Sequence, residues 1–483
     1  MNSNGFRNGR SWGYIGDLLG FLGTSQMSAV GPAREEMPFI PAAVIPPQRD
    51  PPSWLLAARM PFNQIEGWSR AVFEADAYRA FPGTPLFVVE PQAIRTVLLD
   101  AAQDFPQGEL LKRMMRPAWG RGLFTAEDRD WRWQRRATAP AFRPAEMAEL
   151  APLVSFVADR TVESWTGSGQ TNLIDIPSEM ARLTFGVILD TMLSGGEDFD
   201  RAAMQSRIKS FFADIGRMRI SYFLAPDAYH ASRPDAHSVH RQPLLDDIRR
   251  MVSRRRNSDR RSDLVDLLLQ ARDPETGQGM DDDLLANNLL GFILAGHETT
   301  ALALTWALYL VAMHPPTAAR IRDEVTEVAG TNAIDATHVD RLVFTRQVLS
   351  ETLRLYPPAF QVTRVSRKRT ELAGFPVQAG SRVIIPVYAL HRHRGHWANP
   401  DAFDPDRFAP SAPQPDRFTY LPFGAGPRIC LGAAFAMMEA VTVLASLVRA
   451  IDFTVVSPHR VRPVARLALR PAGGLPMSVR RIR

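Results

Sequence analysis

The stretch from Asp281 to His314 leaves few options for the rest of the chain. Three acids, Asp281, Asp282 and Asp283, stand at its head, where carboxylates answer the positive end of a helix dipole, and Pro315-Pro316 closes it. At 1.5 Å per residue this predicts a helix on the order of 50 Å long. Apolar residues cover nearly all of its faces, so it has to be surrounded by other elements. A membrane span is the rival reading, but Asn287, Asn288, His297, Glu298, Thr299 and Thr300 interrupt a run that would need about twenty apolar residues. The expectation is a central helix threading a larger body.

That body reads as helical. Helical patterns run over Pro91–Asp100, Ala126–Ala139, Pro144–Trp165, Pro177–Leu193, Gln242–Arg256, Pro316–Val328, Thr345–Tyr356 and Leu431–Ala450. Strand-like runs are short, at Pro85–Val89 and Arg382–Val387. The fold class is therefore mainly α with minor β, small sheets beside a helical body. Prolines recur from Pro32 to Pro52, which favours an extended strap without helices lying over the surface of the domain. The division expected is a tail and strap over 1–52 and a single domain over 53–483, because no second linker, repeat or low-complexity segment interrupts the remainder.

Composition excludes several classes. With 45% hydrophobic and 22% charged residues the chain can bury a core. The net charge of +6 is spread along the length without a nucleic-acid-binding motif, so nucleic acid is not an expected partner. The densest run, between Arg249 and Arg261, reads as a solvated helix end and loop. One cysteine in 483 residues rules out internal disulfides and multi-thiolate zinc sites and suits a reducing compartment. Met1 to Gly31 lacks the order of a signal peptide, so the reading is of a cytoplasmic chain without a membrane anchor.

The lone thiol sits in Pro422-Phe423-Gly424-Ala425-Gly426-Pro427-Arg428-Ile429-Cys430-Leu431-Gly432, a glycine-rich loop entering a helix. A thiol just before a helix is stabilised as thiolate by the dipole and by free N–H groups. Gly426 and Gly432 would let a large planar group approach the backbone, and Arg428 would offer it a cation for a carboxylate. Packing alone favours an inert buried cysteine. Such a residue needs neither the glycines nor the arginine, and a catalytic nucleophile would want a histidine partner.

Phe423, Gly426, Arg428, Cys430 and Gly432 reproduce F-x-x-G-x-R-x-C-x-G, and in this the chain resembles the cytochrome P-450 family from the strap to the C-terminus. The resemblance implies that Cys430 ligates the iron of haem b. Ala295-Gly296-His297-Glu298-Thr299-Thr300 looks like that family's oxygen-activation motif. Gly296 would leave room for dioxygen, the Thr299 hydroxyl bonded to the Ala295 carbonyl would loosen the helix and open a polar groove, and Glu298 would relay protons through water. Glu351-Thr-Leu-Arg354, three apart on one helix face, with Arg407 about fifty residues later, resembles the family's structural charge cluster. Trp131 and Arg135, four apart on another face, and Arg364 resemble its propionate contacts. Phe292, Ile293, Ala295, Ala359, Phe360, Val362 and Leu475 are the expected substrate pocket.

The activity this resemblance implies is that of a monooxygenase, which takes dioxygen as co-substrate and inserts one oxygen atom into a lipophilic fatty acid, terpenoid or steroid. Because the chain ends soon after the C-terminal strands, the expected electron donor is a separate ferredoxin or flavodoxin-like protein with its reductase, drawing on NAD(P)H. Arg132, Arg136 and Arg428 would attract an acidic donor. Other classes stay open: a haem-thiolate isomerase or peroxygenase, a non-catalytic haem sensor, or a haem-free cysteine hydrolase. The relay reading makes one demand: Thr299→Ala should keep electron consumption but lower product formed per electron by about tenfold or more, and unchanged coupling would defeat it.

Overall fold

The computed structural model describes residues 38–44, 50, 55–56, 59–60, 62–167, 171–193, 200–215, 236–257 and 264–482. The longer helices are α1 (Glu109–Trp119), α2 (Asp128–Thr138), α3 (Ala151–Thr166), α4 (Ile176–Met192), α5 (Arg201–Ile215), α6 (Ala236–Arg256), α7 (Leu264–Gln270), α8 (Asp282–Met313), α9 (Pro315–Ala329), α10 (Val343–Leu355) and α11 (Ala433–Ala450). The strands are β1 (Ala77–Tyr78), β2 (Leu86–Val88), β3 (Asn172–Asp175), β4 (Val362–Val365), β5 (Thr370–Leu372), β6 (Phe375–Val377), β7 (Arg382–Ile385), β8 (Ile451–Val455), β9 (Pro463–Ala465), β10 (Leu469–Pro471) and β11 (Pro476–Arg481).

The 32-residue α8 is the axis of the body. Asp281 caps it by accepting from the Leu284 N–H at 2.7 Å, and α4, α6, α10 and α11 pack around it. Twenty-one of its residues are buried, which is the stable setting for a helix apolar all round. One large apolar cluster draws on residues from Ile65 to Val479. A second lies under the sheet β1-β2-β7-β4, in which β2 and β7 run parallel and the other pairs antiparallel. The remaining strands form β5-β6, β9-β10 and β3-β11-β8. One described helix, Ala433–Ala450, is long and apolar enough to cross a membrane, and 78% of it is buried inside the protein.

Several boundaries differ from the sequence expectation for local reasons. Pro144–Trp165 divides into Pro144–Ala148 and α3, because Pro152 fits only a first turn. Pro91–Asp100 is α-helical to Arg95 and widens into a π turn at Thr96–Asp100. Strand Arg382–Val387 stops at Ile385, ahead of Pro386. The arginine run at the end of α6 is not simply solvated: Arg249 and Arg256 bind Asp283 and Asp282 at the head of α8, at 2.8 and 2.6 Å, and Arg255 is buried against Asp266. Part of the strap lies outside the described residues. Residues 38–44 have no helix and run over a trio of tyrosines, with Ala42 and Val44 N–H donating to the Tyr309 and Tyr388 hydroxyls and the Tyr356 hydroxyl donating to the Ala42 carbonyl.

The Glu351, Arg354 and Arg407 side chains meet. Arg354 is wholly buried and all five of its N–H donors are engaged: two on the Glu351 carboxylate, both 2.7 Å, and three on the carbonyls of His391, Pro400 and Ala402. Arg407 reaches Glu351 at 3.5 Å, and the Asp404 N–H donates to it at 2.9 Å. Removing one member strands a buried charge, so Arg354→Met should cost about 3–5 kcal/mol in urea unfolding, with only part recovered by adding Glu351→Leu. A loss under about 1 kcal/mol would show the cluster to be dispensable.

Candidate functional site

A cavity of about 1690 Å³ lies between α8 and the loop of the lone cysteine, larger than the roughly 300–1,000 Å³ of ordinary small-molecule pockets. It can therefore hold a prosthetic group and a substrate together. Cys430 lies deep in the protein, and the surface its side chain exposes borders this cavity. The loop is folded by its own backbone: Cys430 N–H donates to the Phe423 carbonyl at 2.9 Å, Ile429 N–H to Gly426 at 3.1 Å and Gly424 N–H to Leu421 at 3.1 Å. Burial pushes the thiol above its ordinary value, and the Gly432 N–H and the Arg135 charge offset only part of that.

Of the five arginines that border the same cavity among the described residues, three are half-buried: Arg135 on α2, Arg364 on β4 and Arg428 in the loop. Arg428 lies over the Trp131 ring at 4.8 Å, donates to the Ala126 carbonyl at 2.7 Å and stands 3.5 Å from Glu127. Burial lowers all three, Arg364 to about 10, and the charge of Arg428 lowers the other two further. Glu127 is the carboxylate that offsets this charge on Arg364 and Arg428, so a buried cluster of cations stands ready for an anionic group. Gly432 has open space where a side chain would be. Thiol, cations and flat opening fit a porphyrin carrying propionates.

Gly426 has a different task from the one expected. It does not border the cavity; its φ is +72°, and a Cβ there would strike the Leu98 carbonyl in the π turn. It lets two backbones touch. The arginines expected to attract a donor are also reassigned: Arg136 binds Asp273 at 2.8 Å and Glu275 at 3.0 Å, and Arg428 is turned inward, which leaves Arg132 exposed.

On α8, Thr299 donates to the Ala295 carbonyl at 2.7 Å, and both residues border the cavity. The helix is continuous through this point, so no break accompanies the bond. Gly296 also borders the cavity, yet its absent Cβ points at Ile188 of α4, 3.0 Å away, so close helix packing is what the glycine serves. Glu298 binds Arg470 of β10 at 2.8 Å. Burial raises its carboxyl and Arg470 pulls it back in part.

Phe292, Ala295, Ala359, Phe360 and Val362 border the cavity; Ile293 and Leu475 do not. Helical geometry turns Ile293 into the core, where Gly291 and Leu294 take the wall instead. Leu475 lies past the Gly473-Gly474 turn and is held at Asp175, so Leu467 and Ala468 of the β9–β10 turn stand where it was expected. Sequence reading missed Arg470, and also Glu439 of α11, fully buried and pushed well above the usual carboxylate range with Thr300 as its relief. No histidine borders the cavity among the described residues, which leaves a cysteine hydrolase without its base.

Such a fold belongs with the haem monooxygenases. The family model described as Cytochrome P450 matches residues 78–474. Two proteins of Streptomyces melanosporofaciens are similar: cyclooctatin synthase, 35% identical over 79% of this chain and 81% of its own length, and cyclooctat-9-en-7-ol 5-monooxygenase, 32% identical over 80% and 82%. The crystal structure of the cytochrome P450DA heme domain superposes with a TM-score of 0.73 at 24% identity, over 84% of this chain and 90% of that one. The chain belongs to the cytochrome P450 family, and is a monooxygenase that uses haem b, dioxygen and NAD(P)H-derived electrons.

The cysteine loop is hung from the interior through His391. The Leu421 N–H donates to His391 Nε2 at 2.8 Å, which requires a neutral ring, and burial with the nearby Arg354 charge lowers this histidine to about 3. The unfolded chain takes up a proton below about pH 6.5, whereas the folded one resists until about 3. Stability is complete above 6.5 and should fall as acidity increases, by up to about 1.4 kcal/mol per pH unit from this group. His391→Gln should flatten the drop between about pH 6 and 4 in denaturant titrations; an unaltered slope would reject this origin.

Proposed function

We propose that Cys430 is the axial ligand of the haem iron, that Arg135, Arg364 and Arg428 with Trp131 hold the propionates, and that the substrate is a lipophile of the fatty acid, terpenoid or steroid type. The observation that carries this is the convergence of a cavity-facing thiol and the guanidiniums of Arg135, Arg364 and Arg428 on one cavity. When bound, haem supplies the oxidising power, so the chain's task is to orient, to exclude water and to manage protons. The apolar wall from Phe292 to Ala303 on α8 and Ala359 to Val362 after α10 would orient the substrate by burial.

Thr299 turns its hydroxyl proton onto Ala295, leaving its oxygen able to accept from water on the cavity side. Glu298, one residue earlier, would carry protons from outside, and its Arg470 partner is 40% exposed, so the pair joins cavity to solvent. The electron donor we infer is a separate ferredoxin or flavodoxin-like protein with its reductase, and one of the Streptomyces relatives is named for an alcohol substrate. A single reduced-state cysteine suits the cytoplasm.

Reduced protein under carbon monoxide should show the red-displaced Soret band of a thiolate-bound haem, and Cys430→Ser should abolish it. A band unaffected by the substitution would remove the ligand assignment. Product formed with peroxide but not with a ferredoxin system would favour a peroxygenase.

A further inference from the structure

Trp119, the last residue of α1, borders the cavity and is 7% exposed, with its indole N–H buried and unpartnered. Buried indole N–H groups normally find an acceptor, and one left without is a cost that asks for a reason. The neighbouring amides are turned to other partners. Asn288 accepts from the Leu123 N–H at 2.7 Å and donates to Gln134 at 3.2 Å, while Asn287 accepts from Arg241 and donates to the Asp283 carbonyl at 2.6 Å.

The ring is held in place on two sides. Phe124 stacks on it with centroids 5.1 Å apart, and Gly291 of α8 faces its edge. A Cβ at position 291 would stand 3.2 Å from Cδ1 and 3.9 Å from Nε1, so the glycine lets the indole pack directly against α8. Gly291 also borders the cavity, eight residues before Thr299, or roughly 12 Å along the helix.

We propose that Trp119 is a specificity-determining residue whose indole N–H donates to an oxygen of the substrate, so that the substrate is a lipophile already carrying a hydroxyl or carbonyl group. This rests on the lipophile reading above and narrows it: a plain hydrocarbon leaves the donor unpaired, an oxygenated one satisfies it.

The test is a Soret-shift titration of the holoenzyme with two matched pairs, phytane with phytanol and 5α-androstane with 5α-androstan-17-one. In the wild type the oxygenated member of a pair should bind about five- to tenfold more tightly, and Trp119→Phe, which keeps a ring and loses the donor, should erase that difference while changing hydrocarbon binding by no more than about twofold. Equal affinity within both pairs in the wild type, or an equal loss for both members in the variant, overturns the role of Trp119 and leaves the lipophile reading intact. A wild type that responds to none of the four overturns both.

Discussion

One guanidinium holds the reaction-side architecture together. Arg354 engages every donor it has, and its acceptors come from four separate places: Glu351 on its own helix and the carbonyls of His391, Pro400 and Ala402. Because His391 in turn accepts from Leu421, just ahead of Pro422 and Phe423, the position of the thiol loop is inherited from a buried ion pair on α10. A charge buried this deeply is tolerable only when completely paired. The requirement for complete pairing is what makes the arrangement singular.

The cavity follows the opposite rule on one side. The protein brings Arg135, Arg364 and Arg428 to the cavity wall with Glu127 offsetting the latter two, and burial acts against each of them. Such crowding is unfavourable for the chain alone and favourable once carboxylates arrive, so stability is traded for affinity. Elsewhere the wall is mostly apolar, and two of its polar members are already committed, Thr299 to Ala295 and Glu298 to Arg470. The unpartnered indole N–H of Trp119 gives the pocket a directional preference.

Glycines show how little a residue type says about its task. Gly426 and Gly296 each suggest space left for a ligand, yet one lies against the Leu98 carbonyl and the other against Ile188. Gly432 opens toward the cavity, and Gly291, which nothing in the local sequence distinguishes, shapes the wall beside Trp119. Local pattern reports that a side chain is missing. The neighbour that required its absence comes from a distant segment.

The amino-acid sequence by itself determined the long buried helix, because a run apolar on all faces between acids and prolines has one stable setting, and it determined the thiol loop, because five residues in ten positions form a local pattern. It also spaced Glu351 from Arg354 and Thr299 from Ala295, pairs within one helix whose contact follows from a fixed pitch. Tertiary structure alone decided what faces the cavity: Leu467 and Ala468 in place of Leu475, Leu294 in place of Ile293, and Arg136 turned to Asp273. It alone joined Glu298 to Arg470, 172 positions away, and His391 to Leu421. Helix pitch is a property of neighbours in the chain, whereas facing is settled by packing among elements that meet only in the folded protein.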